Sequence, residues 1–304
     1  MITVLFATPD LWDEFSVVLP QALAEVGIAA RVVADARPDE VDYIVYAPHS
    51  PLQDFTPYCR TKAVLNLWAG VERIVGNATL TQPLCRMVDP GLTEGMVEWV
   101  VGHTLRHHLG MDRHIANPGH VWNQTCPPLA RERPVTILGM GALGTAAGAA
   151  LRALNFPVTG WSRTAKPGLL HGEAGLREAL STAAVLVLLL PKTPETEDLL
   201  NAERLALLPK GAVILNPGRG ALIDDQALLR ALDLGHIGHA TLDVFRVEPL
   251  PPDHPYWAHP RVTVTPHVAA DTRPETSSRV IAENIRRGEA GEPFLHLVDR
   301  KRGY

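Results

Sequence analysis

The sequence predicts an α/β protein with two Rossmann-like, doubly wound parallel-sheet domains separated by an active-site cleft. Three observations support this class. Short apolar runs alternate with helical patterns along most of the chain, a glycine-rich turn follows one such run at residues 139–144, and polar residues follow three more runs near the C-terminus. Alternating strands and helices are typical of parallel sheets covered by helices on both faces. With 304 residues, the chain is long enough for two domains.

The first part of the chain shows the alternation clearly. Its strand-like runs are residues 2–7, 30–33, 43–46 and 64–67. A helical pattern at residues 10–26 lies between the first two runs, which favours a small parallel unit of the flavodoxin type. Residues 94–108 form a longer helical pattern with an acidic start and a basic end. We expect this helix to connect the first domain to the second.

The second part of the chain begins after an irregular, proline-rich stretch at residues 117–133, which we interpret as an arm or linker. Strand–helix alternation resumes at residue 135 and continues to about residue 267. A last helical pattern covers residues 272–287.

Bulk composition is that of a globular protein, with 46% hydrophobic residues, 20% charged residues and a formal net charge of −5. This charge argues against a nucleic-acid partner, because such proteins present a basic face. No apolar run approaches the roughly 18 to 20 residues of a membrane span, and the strand-like N-terminus lacks the basic region of a signal peptide. We therefore expect a cytoplasmic protein without a membrane partner. Three cysteines without close pairing, Cys59, Cys85 and Cys126, suit a reducing compartment as buried or incidental thiols.

The glycine-rich turn predicts a dinucleotide site. It follows a strand run at residues 134–138 and precedes a helical pattern of small residues at 145–154, with a second strand run at 156–161. In this context the glycines allow a tight turn and close approach of the backbone to a pyrophosphate, which the N-terminus of the helix attracts. The residues of the turn are Gly139, Met140, Gly141, Ala142, Leu143 and Gly144.

Three polar residues follow apolar runs that are typical of buried parallel strands, at residues 212–215, 239–242 and 262–264. They are Arg219, Glu248 and His267. Because the carboxyl ends of parallel strands line one crevice, we expect these side chains to lie together. The trio suits one task, which is to hold a carboxylate beside a carbonyl and deliver a proton as hydride arrives.

With these motifs the chain resembles the D-2-hydroxyacid dehydrogenase family, and within it the glyoxylate/hydroxypyruvate reductase A branch. The resemblance covers nearly the whole chain. It includes the glycine-rich turn, the three strand-end segments and the segments 68–72, 161–163, 190–194 and 298–304. It implies an NAD(P)-dependent oxidoreductase that reduces glyoxylate to glycolate and hydroxypyruvate to D-glycerate.

The resemblance also implies the domain organisation. Residues 1–92 with 272–304 would form a substrate-binding, flavodoxin-like domain, because the last helix returns to the first domain in the family. Residues 93–271 would form the NAD(P)-binding Rossmann domain. A homodimer through residues 93–130 is implied as well.

The chemistry of the reaction assigns a role to each member of the trio. The Arg219 guanidinium would grip the substrate carboxylate in two-pronged fashion and polarise the carbonyl. His267 would be the general acid, because the intrinsic pKa of imidazole lies near neutral pH. Glu248 would bond the other ring nitrogen, fix the tautomer and raise the pKa of the imidazole.

The choice of cofactor depends on the end of the second strand, where NAD-preferring folds place an acid. This chain has Ser162, Arg163 and Lys166 there and no acid. The sequence therefore favours NADPH over NADH, although NADH stays possible. The resemblance places Asp243 against the nicotinamide carboxamide. It adds as further cofactor contacts Leu190, Pro191, Thr193, Pro217, Gly218, His267 and Ala269.

Further substrate contacts are implied by the segment that starts at Trp68. Its Ala69 and Gly70 amides resemble the family's anion nest. Trp68 stands where many members have glycine, so its indole either narrows the site or packs under the loop. Arg273 either adds a second positive charge to the site or is a surface arginine at a helix start.

Histidines on the long helix raise the question of a metal site, because spacing four puts His103 and His107 on one face. No H-E-x-x-H pattern or third ligand accompanies them or His108 in the sequence. We therefore expect surface or dimer-interface histidines and no metal.

Two other functions stay open on the sequence alone. A different hydroxyacid dehydrogenase of the same fold, such as phosphoglycerate dehydrogenase, would share these motifs, because fold does not determine substrate. A non-catalytic NAD(H)-sensing protein of the corepressor kind could retain the same residues.

Overall fold

The structure is a computed structural model that describes residues 1–303. Tyr304, the last residue of the tail that contributes to the family resemblance, lies outside the described residues. The chain divides into two compact units. Unit 1 comprises Met1–Leu92 with Asp271–Tyr304, and unit 2 comprises Thr93–Ala270.

Unit 1 begins with a five-stranded parallel sheet of order β2-β1-β3-β4-β5. This is the flavodoxin-like order that the sequence predicts. The strands are β1 (Ile2–Phe6), β2 (Ala30–Val33), β3 (Tyr43–Tyr46), β4 (Ala63–Asn66) and β5 (Leu84–Cys85).

The helix expected at residues 10–26 is two helices, α1 (Trp12–Phe15) and α2 (Val18–Glu25). Pro20 lies in the first turn of α2 and cannot sit in the interior of one continuous helix, because its ring would clash with the carbonyl of residue 16. The Ser16 hydroxyl donates to the Asp13 carbonyl instead, at 3.3 Å, at the end of α1.

The long helix, α3 (Pro90–Leu109), begins earlier than the sequence predicts. Asp89 accepts hydrogen bonds from the Gly91 and Leu92 amides at 3.1 and 3.3 Å. This carboxylate caps the first turn, and Pro90 has no amide hydrogen to lose at the first helical position. A short helix follows, α4 (Asp112–Ile115). The irregular stretch predicted at 117–133 is confirmed, since its one short element is a 3-10 turn at Ala130–Glu132.

Unit 2 contains a seven-stranded parallel sheet of order β12-β11-β10-β9-β6-β7-β8. The order of strands reverses between β6 and β9, and this is the switch point where doubly wound sheets bind ligands. The strands are β6 (Val135–Leu138), β7 (Val158–Ser162), β8 (Leu170–His171), β9 (Val185–Leu188), β10 (Ala212–Asn216), β11 (Ile237–Leu242) and β12 (Val262–Val264). The helices are α5 (Ala142–Ala153), α6 (Gly172–Ser181), α7 (Ala202–Leu205) and α8 (Asp225–Asp233).

Each face of this sheet has its own apolar core. In β9 the side chains of Leu186 and Leu188 enter one cluster, while Val185 and Val187 enter the other. This alternation follows from the two-residue period of a strand and explains why the central strands are apolar throughout.

The last helix, α9 (Pro274–Ala290), completes unit 1. Its buried Ile281, Ala282 and Ile285 share a core with Phe6 and Leu19 of the N-terminal segment. Within the described part of the chain, every helix is too short or too polar to cross a membrane.

Candidate active site

The glycine-rich turn connects β6 to α5 at the switch point, and each glycine has a different environment. Gly139 has a φ of +107°, and a Cβ there would collide with the Leu189 carbonyl. A Cβ on Gly144 would collide with the Gly139 carbonyl. Gly141, the N-cap of α5, would meet nothing within 4 Å. The turn is therefore closely packed on the protein side and open at the helix N-terminus, as a pyrophosphate site requires.

The residues that follow β7 place two cations near this turn. Lys166 Nζ lies 3.4 Å from the Met140 carbonyl. Arg163 is exposed and pairs with Glu195 at 3.5 Å. No acid follows β7 in the sequence, as expected, but Glu195 approaches Arg163 from the loop after β9. The Ser162 hydroxyl is not directed to solvent, since it donates to the Thr164 carbonyl at 2.6 Å.

The loop after β9 contains Leu190, Pro191 and Thr193, and the sequence did not reveal what holds it. The hydroxyl of Thr196, in the same loop, forms two hydrogen bonds with it. Thr196 Oγ1 accepts from the Thr193 amide at 2.8 Å and donates to the Pro191 carbonyl at 2.7 Å. Leu190 and Thr193 are buried. These bonds and the buried side chains hold the loop beside the switch point.

Arg219 follows β10 in a loop that Asn216 organises. The Asn216 side chain donates to the Arg219 carbonyl at 3.0 Å and accepts from the Gly218 amide at 3.2 Å. A Cβ on Gly220 would collide with the backbone at Phe245. The glycine therefore brings the loop of Arg219 against the segment that leads to Glu248. Pro217 and Gly218 are buried in this loop.

Asp243 is fully buried at the end of β11, and both its oxygens bind the loop after β12. Oδ1 accepts from the Thr265 hydroxyl at 2.6 Å and from the Val268 amide at 3.0 Å, while Oδ2 accepts from the Ala269 amide at 3.0 Å. The bonded residues lie before and after His267 in the chain. The φ of His267 is +55°, which is uncommon for a non-glycine residue. Asp243 thus anchors the histidine loop, a role that the sequence did not indicate.

His267 and Glu248 form a direct pair, with 2.8 Å between Nδ1 and Oε2. The other carboxylate oxygen, Oε1, accepts from the Phe245 amide at 2.8 Å. The hydrogen bond to Glu248 raises the pKa of His267, against the opposing effect of burial. Burial alone would raise the pKa of Glu248, but the bonds from His267 and Phe245 outweigh it and hold this pKa below its usual range. The bond to Glu248 uses Nδ1 of the ring and not Nε2.

Arg219 acts electrostatically on both members of this pair. Its charge lowers the pKa of His267 and of Glu248, as secondary effects. The structure therefore brings together the three strand-end residues that the sequence singled out. The arrangement joins a guanidinium, an imidazole with a raised pKa, and a carboxylate that orients the imidazole.

The other four predicted substrate residues lie in unit 1. Trp68 is 37% exposed and its ring lies 5.2 Å from that of His49. Asn66 donates to the carbonyls of Trp68 and Gly70 at 2.7 and 3.0 Å, which fixes the loop containing Ala69. Arg273 is the N-cap residue of α9, in agreement with the helix-start alternative.

The histidines of α3, which we expected at the surface or at a dimer interface, are half-buried or buried in the structure. His108 is 6% exposed and packs edge-on against Phe156, with 5.0 Å between ring centroids. The ring of His103 packs against that of Trp99 at a tilt of 53°, with 4.4 Å between the centroids. His107 contacts Thr241 through Nε2 at 2.8 Å. These side chains therefore pack within unit 2.

The chain matches a protein-family model over most of unit 2. Residues 100–269 match the model of the D-isomer specific 2-hydroxyacid dehydrogenase NAD-binding domain. The chain belongs to the D-isomer specific 2-hydroxyacid dehydrogenase family, and it is an NAD(P)-dependent oxidoreductase of the Rossmann type.

Solved structures of 2-hydroxyacid dehydrogenases are also similar to this chain. A D-isomer specific 2-hydroxyacid dehydrogenase from Xanthobacter autotrophicus in complex with NADPH is 40% identical, with a TM-score of 0.91 over 100% of this chain and 99% of that one. An NADPH-dependent glyoxylate/hydroxypyruvate reductase from Sinorhizobium meliloti in complex with NADP and sulfate is 34% identical, with a TM-score of 0.87 over 100% of both chains. A probable 2-hydroxyacid dehydrogenase from Rhizobium etli, in complex with NADP and tartaric acid, is 32% identical, with a TM-score of 0.84 over 100% of this chain and 98% of that one.

Proposed function

We propose that the protein is an NADPH-preferring reductase of small 2-oxo acids, with glyoxylate and hydroxypyruvate as substrates and His267 as the general acid. The observation that carries the proposal is the His267–Glu248 pair, 2.8 Å long, in the electrostatic range of Arg219. A 2-oxo acid needs a cation for its carboxylate and a proton donor for its carbonyl oxygen, and this cluster has both.

Each of the three strand-end residues in unit 2 has its own role in the proposed reaction. Arg219 binds the carboxylate and polarises the carbonyl, and His267 gives its Nε2 proton to the carbonyl oxygen. Glu248 keeps the other nitrogen, Nδ1, protonated and stabilises the imidazolium before transfer. When bound, the cofactor supplies the hydride. The amides of Ala69 and Gly70 add donors to the substrate carboxylate, as an anion nest does.

The cofactor fits the residues around the glycine-rich turn. Gly141 leaves an open N-terminus on α5 for a pyrophosphate, and Arg163 with Lys166 supplies positive charge for a 2′-phosphate. Glu195 is exposed beside Arg163, so a phosphate can displace it in the ion pair at little cost. NADPH is also the ligand of the Xanthobacter relative. We propose that unit 2 is the cofactor-binding domain and unit 1 the substrate-binding domain.

The substrate proposal rests on the Sinorhizobium relative, which is named for glyoxylate and hydroxypyruvate, and on Trp68. A bulky indole in the position where many family members have glycine limits the room beyond C3 of a 2-oxo acid. Aromatic and branched 2-oxo acids should therefore be poor substrates. If phenylpyruvate exceeds both proposed substrates in kcat/KM, the substrate assignment is wrong while the dehydrogenase class stands.

The proton-donor role is tested by the pH dependence of NADPH oxidation with glyoxylate. His267→Gln should lower kcat by about 10²- to 10⁴-fold, the usual contribution of a general acid, without weakening NADPH binding. Reduction needs protonated His267, so kcat/KM should fall as pH rises through its pKa. Glu248→Gln removes the cause of the raised pKa and should move this fall to lower pH.

The matched control is Asp253→Asn, an exposed carboxylate in the segment after Glu248. It should leave the pH profile unchanged. A His267→Gln enzyme with full turnover, or a Glu248→Gln enzyme with the wild-type profile, contradicts the assignment.

We also propose a homodimer through residues 93–130. Large apolar side chains are exposed along this segment, including Ile115 at 77%, Val121 at 64% and Trp122 at 86%. A second copy of the segment would bury them. Light scattering should give twice the chain mass, and Trp122→Ser should shift the equilibrium toward monomer, whereas Trp257→Ser, another exposed indole, should not.

A further inference from the structure

Three potential metal ligands meet in unit 2 and take no part in the site described above. His107 lies in the last turn of α3, Asp112 opens α4, and His239 lies on β11. Each is half-buried and offers one ligand atom, and these atoms all lie within 4.8 Å of one another. In the sequence, no third ligand accompanies the histidines of α3. The fold supplies two, one beyond the helix end and one from a strand far along the chain.

Burial favours the neutral form of both imidazoles, which is the form that binds a metal. Burial, followed by the neighbouring His239 and Arg106, lowers the pKa of His107 to about 3. Burial and Arg106 also lower the pKa of His239 to about 4. The two rings lie beside one carboxylate, with 4.7 Å between their centroids.

Each candidate ligand is also held by a second residue. Nε2 of His107 lies 2.8 Å from Thr241 Oγ1, and Nε2 of His239 lies 2.9 Å from Thr263 Oγ1. The two threonines are register partners on β11 and β12. When the hydroxyls accept from Nε2–H, the lone pair is on Nδ1 of each ring, an arrangement usual for metal-bound histidines.

We propose that His107, Asp112 and His239 bind a Zn²⁺ ion that fastens the α3–α4 corner to β11. Two imidazoles and a carboxylate are a ligand set that zinc accepts, with water at the fourth position. Tetrahedral bonds of about 2.0 Å place ligand atoms about 3.3 Å apart, so the side chains must close in on the ion. Arg106 donates to Asp112 Oδ1 at 2.6 Å. Arg106 thereby orients the carboxylate. Its positive charge repels the ion, so we expect Zn²⁺ to bind more weakly here than at a site with thiolate ligands.

The test uses the full-length chain after dialysis against EDTA. Calorimetric titration with ZnCl₂ should give one ion per chain, and CoCl₂ should give visible absorption bands of four-coordinate cobalt. His239→Gln and Asp112→Asn should each lower Zn²⁺ affinity at least tenfold and remove the cobalt bands. Thr241→Val keeps all three ligands and should weaken binding about 10- to 100-fold, as for other residues that support a metal ligand.

Two controls separate this site from other histidines. His114→Gln alters an exposed residue on the same short helix and should bind Zn²⁺ like wild type. His267→Gln removes the catalytic pair as a zinc source and should also keep one site. Zn²⁺ should raise the Tm of the wild type but not of Asp112→Asn, whose half-exposed position lets the variant fold. Unchanged affinity in both ligand variants, or an absence of cobalt bands in wild type, overturns the proposal.

Discussion

Two residues of the glycine-rich turn, Gly141 and Gly144, allow folding and cofactor binding to be perturbed separately. A Cβ on Gly144 would collide with the Gly139 carbonyl and would lie 3.4 Å from Ile137 Cγ2. The obstacle is backbone, so Gly144→Ala should destabilise unit 2 by about 1–3 kcal/mol, the usual cost of overpacking. At about 2–4 °C per kcal/mol for a domain of this size, Tm should fall by roughly 2 to 12 °C.

Gly141→Ala should leave the stability of unit 2 intact and weaken the binding of NADPH. The residue has a φ of −85°, which alanine adopts without strain, and its Cβ would meet nothing within 4 Å. Stability should therefore stay level or rise by about 0.4–1 kcal/mol, because the unfolded chain loses freedom. The new methyl occupies the space proposed for the pyrophosphate. Losing one charge-assisted hydrogen bond, about 1.5–3 kcal/mol, weakens NADPH about 10- to 150-fold.

The assay combines thermal unfolding of the free protein with titration of NADPH fluorescence at a temperature where both variants are folded. Gly148→Ala, which alters the same helix beyond the turn, controls for helix effects. The reasoning is refuted if Gly141→Ala binds NADPH within twofold of wild type, or if Gly144→Ala unfolds at the wild-type temperature.

Three further predictions concern the cofactor, the substrate pocket and acid stability. Arg163→Ala should weaken NADPH more than NADH in fluorescence titrations, because only NADPH has a 2′-phosphate; equal losses would show that the side chain faces elsewhere. Trp68→Gly should raise kcat/KM for phenylpyruvate relative to glyoxylate, and an unchanged ratio would separate Trp68 from the substrate. The pKa values of His107 and His239 are lowered from 6.5 to about 3 and about 4, so their contribution to stability is complete above pH 6.5 and is lost as pH falls through these values. Urea unfolding at several pH values should show a shallower loss below pH 6.5 for His239→Gln, and identical slopes would contradict the neutral assignment.

The sequence predicted most of the fold because its strands are short apolar runs with clear ends. Residues 30–33, 43–46 and 262–264 are strands with the predicted bounds. The boundaries that failed depend on single capping and breaking residues. Asp89 extends α3 toward the N-terminus, and Pro20 divides the first helical pattern.

The three residues proposed for catalysis could be singled out because each lies in the loop after a strand of one parallel sheet. The residues that position the trio could not, since their roles depend on contacts between distant segments. Asp243 looks like one more strand-end acid until its bonds to the Val268 and Ala269 amides are seen. Glu195 and His239 meet their partners only through the fold, for the same reason.

Unit 1 is built from both ends of the chain, and this has a consequence for synthesis on the ribosome. Leu19 and Leu23 of the first segment are buried together with Ile281 and Ile285 of α9. At about 5–20 residues per second, the ribosome needs on the order of 13 to 50 s to make the intervening chain. During this interval unit 2 can fold while an apolar face of the nascent unit 1 stays exposed to water and to chaperones. Aggregation of a chain stopped at Ala270 should therefore come from its N-terminal segment.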